Sequence, residues 1–193
     1  MSSSPFIVEW VARLTPRRGE TRRALDVAMG GGRHSLILAR AGFRTFGVDV
    51  RLDAVREAMV AAADAQLIVN GWCADLTRSP LPESSFDLVV VTRYLQRDLF
   101  AALRASVKPG GVVLYETFTT AQLALGAGPR SPDHLLEPGE LRRQFAGFEL
   151  LCDEEVSSPE AVARVAARRT SSSNASRGSD TLPGLAPPCE SSA

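Results

Sequence analysis

Cysteine is scarce in this sequence: Cys73, Cys152 and Cys189 lie far apart and are odd in number. That argues against a disulfide framework and points to a reducing compartment. There is no CxxC or Cys/His cluster of metal-ligand spacing, so no metal is expected. Net charge is missing as well, because 22 Lys plus Arg balance 22 Asp plus Glu. The electrostatic case for a nucleic-acid or acidic-membrane partner is therefore absent. No stretch reaches the ~18 unbroken apolar residues that a membrane span requires. The start, MSSSPFIVEW, has neither a basic n-region nor a long apolar h-region. A Gly-Lys-Ser/Thr ending is also lacking, which excludes a P-loop. A cytoplasmic protein acting on a small molecule is the expectation, with nothing said about its oligomeric state.

What is present is enough apolar material for one domain: 45% of 193 residues are hydrophobic. Ile7, Val8, Trp10, Val11 and Leu14 recur at helical spacing and predict a leading helix. Leu25 to Val27 then reads as a buried strand, and Gly30, Gly31 and Gly32 as a turn into a helix beginning at about His34 and stopped by Gly42. FRTFGVDV is a second strand, residues 52–63 a helix that Asp53 helps to start, and LIVNGWCADL a third extended run. Pro80 and Pro82 mark a loop. FDLVVVT is a strand buried on both faces, a helix follows from about Arg97 to Val107, and Val112 to Thr117 forms a fifth strand.

This rhythm predicts βαβ units: an α/β, doubly wound, mostly parallel sheet covered by helices on both faces. Later, residues 121–138 read as an irregular loop, 139–146 as a short helix and 148–152 as a strand. AVARVAAR is compatible with either a strand or a helix. The domain is expected over 1–169, and the Ser/Pro/Gly-rich stretch 170–193 is expected to be a disordered tail.

In an open parallel sheet, ligands bind beyond the carboxyl ends of the strands where the connections change direction. The glycine turn, Asp49 and Asp75 should converge there. Asp49 lies about 20 residues past the glycines, the spacing at which a carboxylate meets ribose hydroxyls. Ser35 occupies the last position of the Gly-x-Gly-x-x-Gly pattern of dinucleotide enzymes, and Asp26 beside the turn would repel a pyrophosphate. Both features favour a cationic nucleoside over NAD. Asp87, at the entry of its strand, belongs to the far end of the sheet and to stability.

These residues carry a resemblance. LDVAMGGG, followed in order by GVD, ADL, FDLV and KPGG, resembles the motif series of class I S-adenosylmethionine-dependent methyltransferases. GGGRHSLILARAGF, VTRYLQRDLF, LYETF and GPRSPDHLLEPGELRRQF resemble the tellurite-resistance methyltransferase-like branch. The resemblance implies S-adenosylmethionine as cofactor. Gly30 and Gly32 would approach its methionine part, and Asp26 would orient the amino group directly or through water. Asp49 would hold the ribose, Asp75 and Leu76 would border the adenine, and Thr92 to Tyr94 would floor the site by the methyl group. Met29, where the branch commonly has a smaller residue, is expected to narrow the pocket. Transfer to a small acceptor, anionic or chalcogen-containing, is implied. The catalytic candidates are His134, Tyr94 and Arg93, with His34, Glu116, Arg97 and Arg130 also near the expected mouth. The alternative is a non-catalytic module of the same fold in a regulatory role.

Overall fold

The computed structural model describes residues 3–171, so the expected tail lies almost wholly outside the described residues. Its element order is α1 (Pro5–Leu14), β1 (Arg23–Val27), α2 (Arg33–Arg40), β2 (Arg44–Asp49), α3 (Leu52–Asp64), β3 (Val69–Cys73), β4 (Phe86–Thr92), α4 (Phe100–Ser106), β5 (Val107–Phe118), α5 (Glu140–Gln144), β6 (Phe148–Val156) and β7 (Val162–Arg169). The seven strands form one sheet in the order β3-β2-β1-β4-β5-β7-β6. The first five strands run parallel, and β7 pairs antiparallel with β5 and with β6. The connections reverse direction between β1 and β4, which sets a crevice at the carboxyl ends of those two strands.

α1 starts where Ser4 accepts a hydrogen bond from the Ile7 N–H and Pro5 fills the first turn. Its face of Phe6, Ile7, Trp10 and Val11 packs with Leu38 of α2 and with Leu88, Val90, Val112 and Leu114 of the sheet. The opposite sheet face carries Val89, Val91, Val113 and Tyr115 against Phe100 and Leu103 of α4 and Leu141 and Phe145 next to it. Phe100 stacks on Tyr115 at a centroid distance of 5.3 Å. β4 is buried on both sides, as its unbroken Val run requires.

Three expectations are resolved or adjusted. The segment Ala161 to Arg168 is settled as a strand, because antiparallel pairing with β5 over seven register pairs supplies partners that periodicity cannot reveal. The expected helix from Arg97 opens with a 3-10 turn, Arg97–Leu99, and is α-helical only from Phe100. The third strand is shorter than its apolar run, ending at Cys73. At the amino ends of β2 and β4 an arginine covers the aromatic rings: the Arg23 guanidinium sits 4.9 Å over Phe46 and 5.4 Å over Phe86. At the amino end of β4, Asp87 accepts from the Arg23 backbone N–H and from Lys108, both at 2.8 Å. It stitches three strands at the end remote from the crevice.

Candidate cofactor and acceptor site

The turn after β1 is more demanding than a row of glycines. Ala28 (φ 53°), Gly30 (φ 53°) and Gly32 (φ 79°) all occupy the left-handed region. For Ala28 this conformation costs roughly 1–2 kcal/mol, so the strained position is one that sequence reading passed over. Gly32 needs its missing side chain for a second reason, since a Cβ there would lie 2.7 Å from the Ala58 Cβ and drive α3 off the turn. A Cβ on Gly30 would meet no protein atom within 4 Å. The backbone at Gly30 thus faces open cleft.

Asp26 and Asp49 flank this turn in unlike states. Asp49, at the end of β2, accepts from the Gly30 N–H (2.9 Å) and the Arg51 N–H (2.9 Å), which aims its carboxylate along the glycine turn. Asp26 is 1% exposed. Its Oδ2 accepts from the Ser35 hydroxyl at 2.7 Å, and its Oδ1 has no partner. Burial pushes its pKa up to about 7, against the opposing pull of Ser35 and Arg33. An orphaned, buried carboxylate oxygen suits a cationic donor and is hostile to a phosphate. Asp75 is exposed, two residues beyond β3, and its Oδ1 is held by the Thr77 N–H and hydroxyl, which keep its pKa low. Leu76 is half-buried against the sheet.

Met29 lines the cleft beside the glycine turn. It is 5% exposed, and its side chain packs on Val55, Ala58 and Met59. Room exists because β2 and β3 carry Gly47 and Gly71: a Cβ on Gly47 would fall 2.1 Å from the Met29 sulfur, and one on Gly71 3.3 Å from its terminal methyl. A large residue in the turn is matched by two absent side chains in the neighbouring strands.

A cleft of about 1060 Å³ runs from Ala28, Gly30, Gly31 and Arg51 past Thr92 to a second chamber walled by Phe118, Leu125, Pro129 and Pro159. Arg33, Arg93, Tyr94, His134 and Glu160 also face it. Tyr94 is half-buried, and its phenol is held above its ordinary pKa of 10 by burial and then by the negative charges of Asp75 and Asp49. The phenol therefore keeps its proton. His134 is exposed on a single 3-10 turn, Pro132–His134.

The remaining candidates are structurally engaged. His34 is 2% exposed, its Nε2 accepting from the Ser4 N–H at 3.1 Å and its Nδ1 lying 3.0 Å from the Thr92 hydroxyl. Burial, with Arg33 and Arg93 nearby, holds its pKa down to about 4. A neutral imidazole with both nitrogens occupied fastens the start of α1 to the end of β4 and leaves no free site for proton transfer. Thr92, 7% exposed, is at the cleft floor with its hydroxyl turned to His34. Glu116 is paired to Arg164 at 2.6 Å. Arg97 clamps Glu140 through two hydrogen bonds and holds the Leu135 carbonyl, tying the long loop to α5. Arg130 is exposed.

One organiser of the second chamber escaped the sequence reading. Gln122, 2% exposed, donates to the Ala127 carbonyl and accepts from the Ala161 N–H, so it fixes the loop after β5 to the start of β7. Nothing local marks it, since both partners are chosen by tertiary pairing.

Comparison with known proteins follows the same division. The family described as a methyltransferase domain matches residues 24–111, the stretch from β1 into β5. A ubiquinone biosynthesis O-methyltransferase of Albidiferax ferrireducens is 33% identical over 122 residues, covering 59% of this chain and 47% of that protein. The chain thus spans about half the length of this curated relative. Among solved structures, an S-adenosylmethionine-dependent methyltransferase from Mesorhizobium loti aligns with a TM-score of 0.66 and 21% identity, over 84% of this chain and 98% of its own. TehB from Haemophilus influenzae aligns with a TM-score of 0.67 and 18% identity, over 84% and 61%. At these identities, the two structures establish the fold. Among the described residues no helix is long and apolar enough to cross a membrane, and no group of three or more His, Cys, Asp or Glu is placed to hold a metal ion.

Proposed function

We propose that the chain, which matches a methyltransferase domain family over residues 24–111, is a class I, S-adenosylmethionine-dependent enzyme that methylates a small acceptor bearing an anionic or chalcogen centre. The observation that carries this reading is a bare glycine turn lining the cleft, with the Asp49 carboxylate hydrogen-bonded to the Gly30 N–H and the orphaned Oδ1 of Asp26 buried beneath the same turn, behind the cleft wall. The cofactor, when bound, supplies a methyl group made electrophilic by its sulfonium. The protein's own contribution is then alignment and exclusion of water.

In this reading Asp26 holds the ammonium of the methionine part, and Gly30 and Gly32 let it approach the backbone. Asp49 receives the ribose hydroxyls, Asp75 and Leu76 border the adenine, and Thr92 forms the floor. Tyr94, with its raised pKa, serves as wall and hydrogen-bond donor. His134, at the mouth of the second chamber, takes a proton where the acceptor must lose one. Arg93 meets an acceptor anion. The motifs shared with the tellurite-resistance branch favour a chalcogen acceptor, and the relative named for O-methylation adds an oxygen acceptor to the candidates. The same reading places the protein in the cytoplasm.

Calorimetric titration with S-adenosylhomocysteine tests the reading. Saturable binding is expected, and Asp49→Ala should weaken it by ~1.5–3 kcal/mol through loss of hydrogen bonds to a charged acceptor. No heat at millimolar ligand would overturn the proposal. Transfer of a labelled methyl group across tellurite, thiols, phenols and hydroxy acids then ranks the acceptors.

A further inference from the structure

Two guanidinium groups line the cleft under unequal conditions. Arg33, the first residue of α2, lines the cleft half-buried and forms no hydrogen bond or ion pair among the described residues. Burial and the nearby charge of Arg93 both weaken its hold on its proton. Arg93 follows β4 at a left-handed φ of 53°, a strained setting for a long side chain. Its backbone N–H donates to the Glu116 carbonyl at 2.8 Å. Its guanidinium lies 5.4 Å over the Phe118 ring and donates to Glu160 Oε2 at 2.6 Å.

The carboxylates around these two cations are unequally placed. Glu116 and Glu154 share Arg164, and Asp26 is buried on Ser35. Of the two carboxylates that line the cleft, Glu57 and Glu160, Glu160 is the one bonded to Arg93. It sits in the loop between β6 and β7, its side chain 42% exposed, while its neighbour Ala161 is pinned by Gln122 and Thr119. Arg33 is therefore a guanidinium without an ion pair among the described residues, half-buried in a cleft that also has the apolar walls of Leu125, Pro129 and Pro159. An unpaired, half-buried cation is a cost that a bound anion relieves.

We propose that Arg33 and Arg93 form a clamp for a carboxylate on the methyl acceptor, and that Glu160 is a placeholder which this carboxylate displaces from Arg93. The inference rests on the methyltransferase reading and narrows its acceptor to a small acid with an apolar body. Glu160 shows which geometry the forked Arg93 accepts, since its own carboxylate already occupies the position. Exchange of one carboxylate for another requires only that the exposed Glu160 side chain turn outward.

The test uses protein saturated with S-adenosylhomocysteine and titrated calorimetrically with 4-hydroxybenzoate and, as its neutral counterpart, 4-hydroxybenzamide. R93Q should weaken 4-hydroxybenzoate binding by about tenfold or more and R33Q by about threefold or more, because charge-assisted contacts are lost. E160Q should tighten it by about threefold, because the competing carboxylate is gone. The amide should change less than about twofold in every variant. A bridge that merely braces the loop predicts that R93Q and E160Q act in the same direction, and that outcome overturns the proposal. So do equal responses of acid and amide, or no binding of the acid to wild type and E160Q at about 10 mM. If R33Q and R93Q instead weaken S-adenosylhomocysteine about tenfold, the clamp serves the cofactor's own carboxylate and the acceptor assignment falls. Wild-type protein that does not bind S-adenosylhomocysteine at all removes the methyltransferase reading itself, which keeps the two failures apart.

Discussion

The two halves of the cleft are built by different means. The half at the ends of β1, β2 and β3 consists of backbone and fixed acids, with Asp49 reaching Gly30 across 19 residues and Asp26 reaching Ser35 across nine. The half beyond β4 and β5 depends on long-range pairs: Arg93 with Glu160 across 67 residues, Arg97 with Glu140 across 43, Gln122 with Ala161 across 39. The first half is thus set by local chain geometry once the strands are in register, whereas the second exists only after β6 and β7 have docked. A ligand common to many enzymes suits the first kind of construction, and one that varies from enzyme to enzyme suits the second.

The largest effect expected from breaking this contrast falls on the rigid half. Gly47→Ala should destabilise the fold by about 1–3 kcal/mol, because the new methyl overlaps the Met29 sulfur in a packed site. Combining it with Met29→Cys should restore much of the loss in urea unfolding. Additive losses would show that Met29 and Gly47 are not matched in size.

A comparable but differently directed effect is expected in the second half. Gln122→Ala orphans the Ala161 N–H and the Ala127 carbonyl, at about 1–3 kcal/mol for buried unmade hydrogen bonds. It should raise the acceptor KM while leaving S-adenosylhomocysteine affinity within about twofold. A matching fall in cofactor affinity would erase the distinction between the halves.

The smallest effect is a pH dependence confined to the first half. Asp26 has a pKa raised from 3.8 to about 7 by burial, with Arg33 and Ser35 pulling it down and Asp49 pushing it up. The stability of the unliganded protein associated with this group is full below pH 3.8 and is lost as pH rises through about 7. A cationic amino group binds the ionised form, so cofactor affinity should climb up to about tenfold per pH unit below 7 and level off above it. Asp26→Asn should flatten the profile. A flat profile in wild type would separate Asp26 from the ammonium.

The candidate site residues differ in legibility for a physical reason. Gly30, Asp49 and Asp75 stand at strand ends, and strand ends can be located from apolar runs and turn residues alone. The demand on Ala28 was hidden, because alanine gives no signal of a left-handed φ. The fate of Met29 was hidden as well, since its room comes from Gly47 and Gly71 on neighbouring strands. His34 could be placed near the cleft from its position after the glycines. That both its nitrogens are spent on Ser4 and Thr92 depends on contacts 30 and 58 residues away.

The sequence by itself determined the alternation of strands and helices, the glycine turn and the acids at the ends of β1 and β2. These follow from short-range periodicity and from residues with few conformational alternatives. Only the tertiary structure decided that Val162–Arg169 joins the sheet as an antiparallel strand between β5 and β6, that Met29 finds its room against Gly47 and Gly71, and that Arg33 and Arg93 share a cleft with Glu160 bonded to Arg93. Those facts depend on which distant segments meet, and no local pattern in the chain records a partner 39 or 67 residues away.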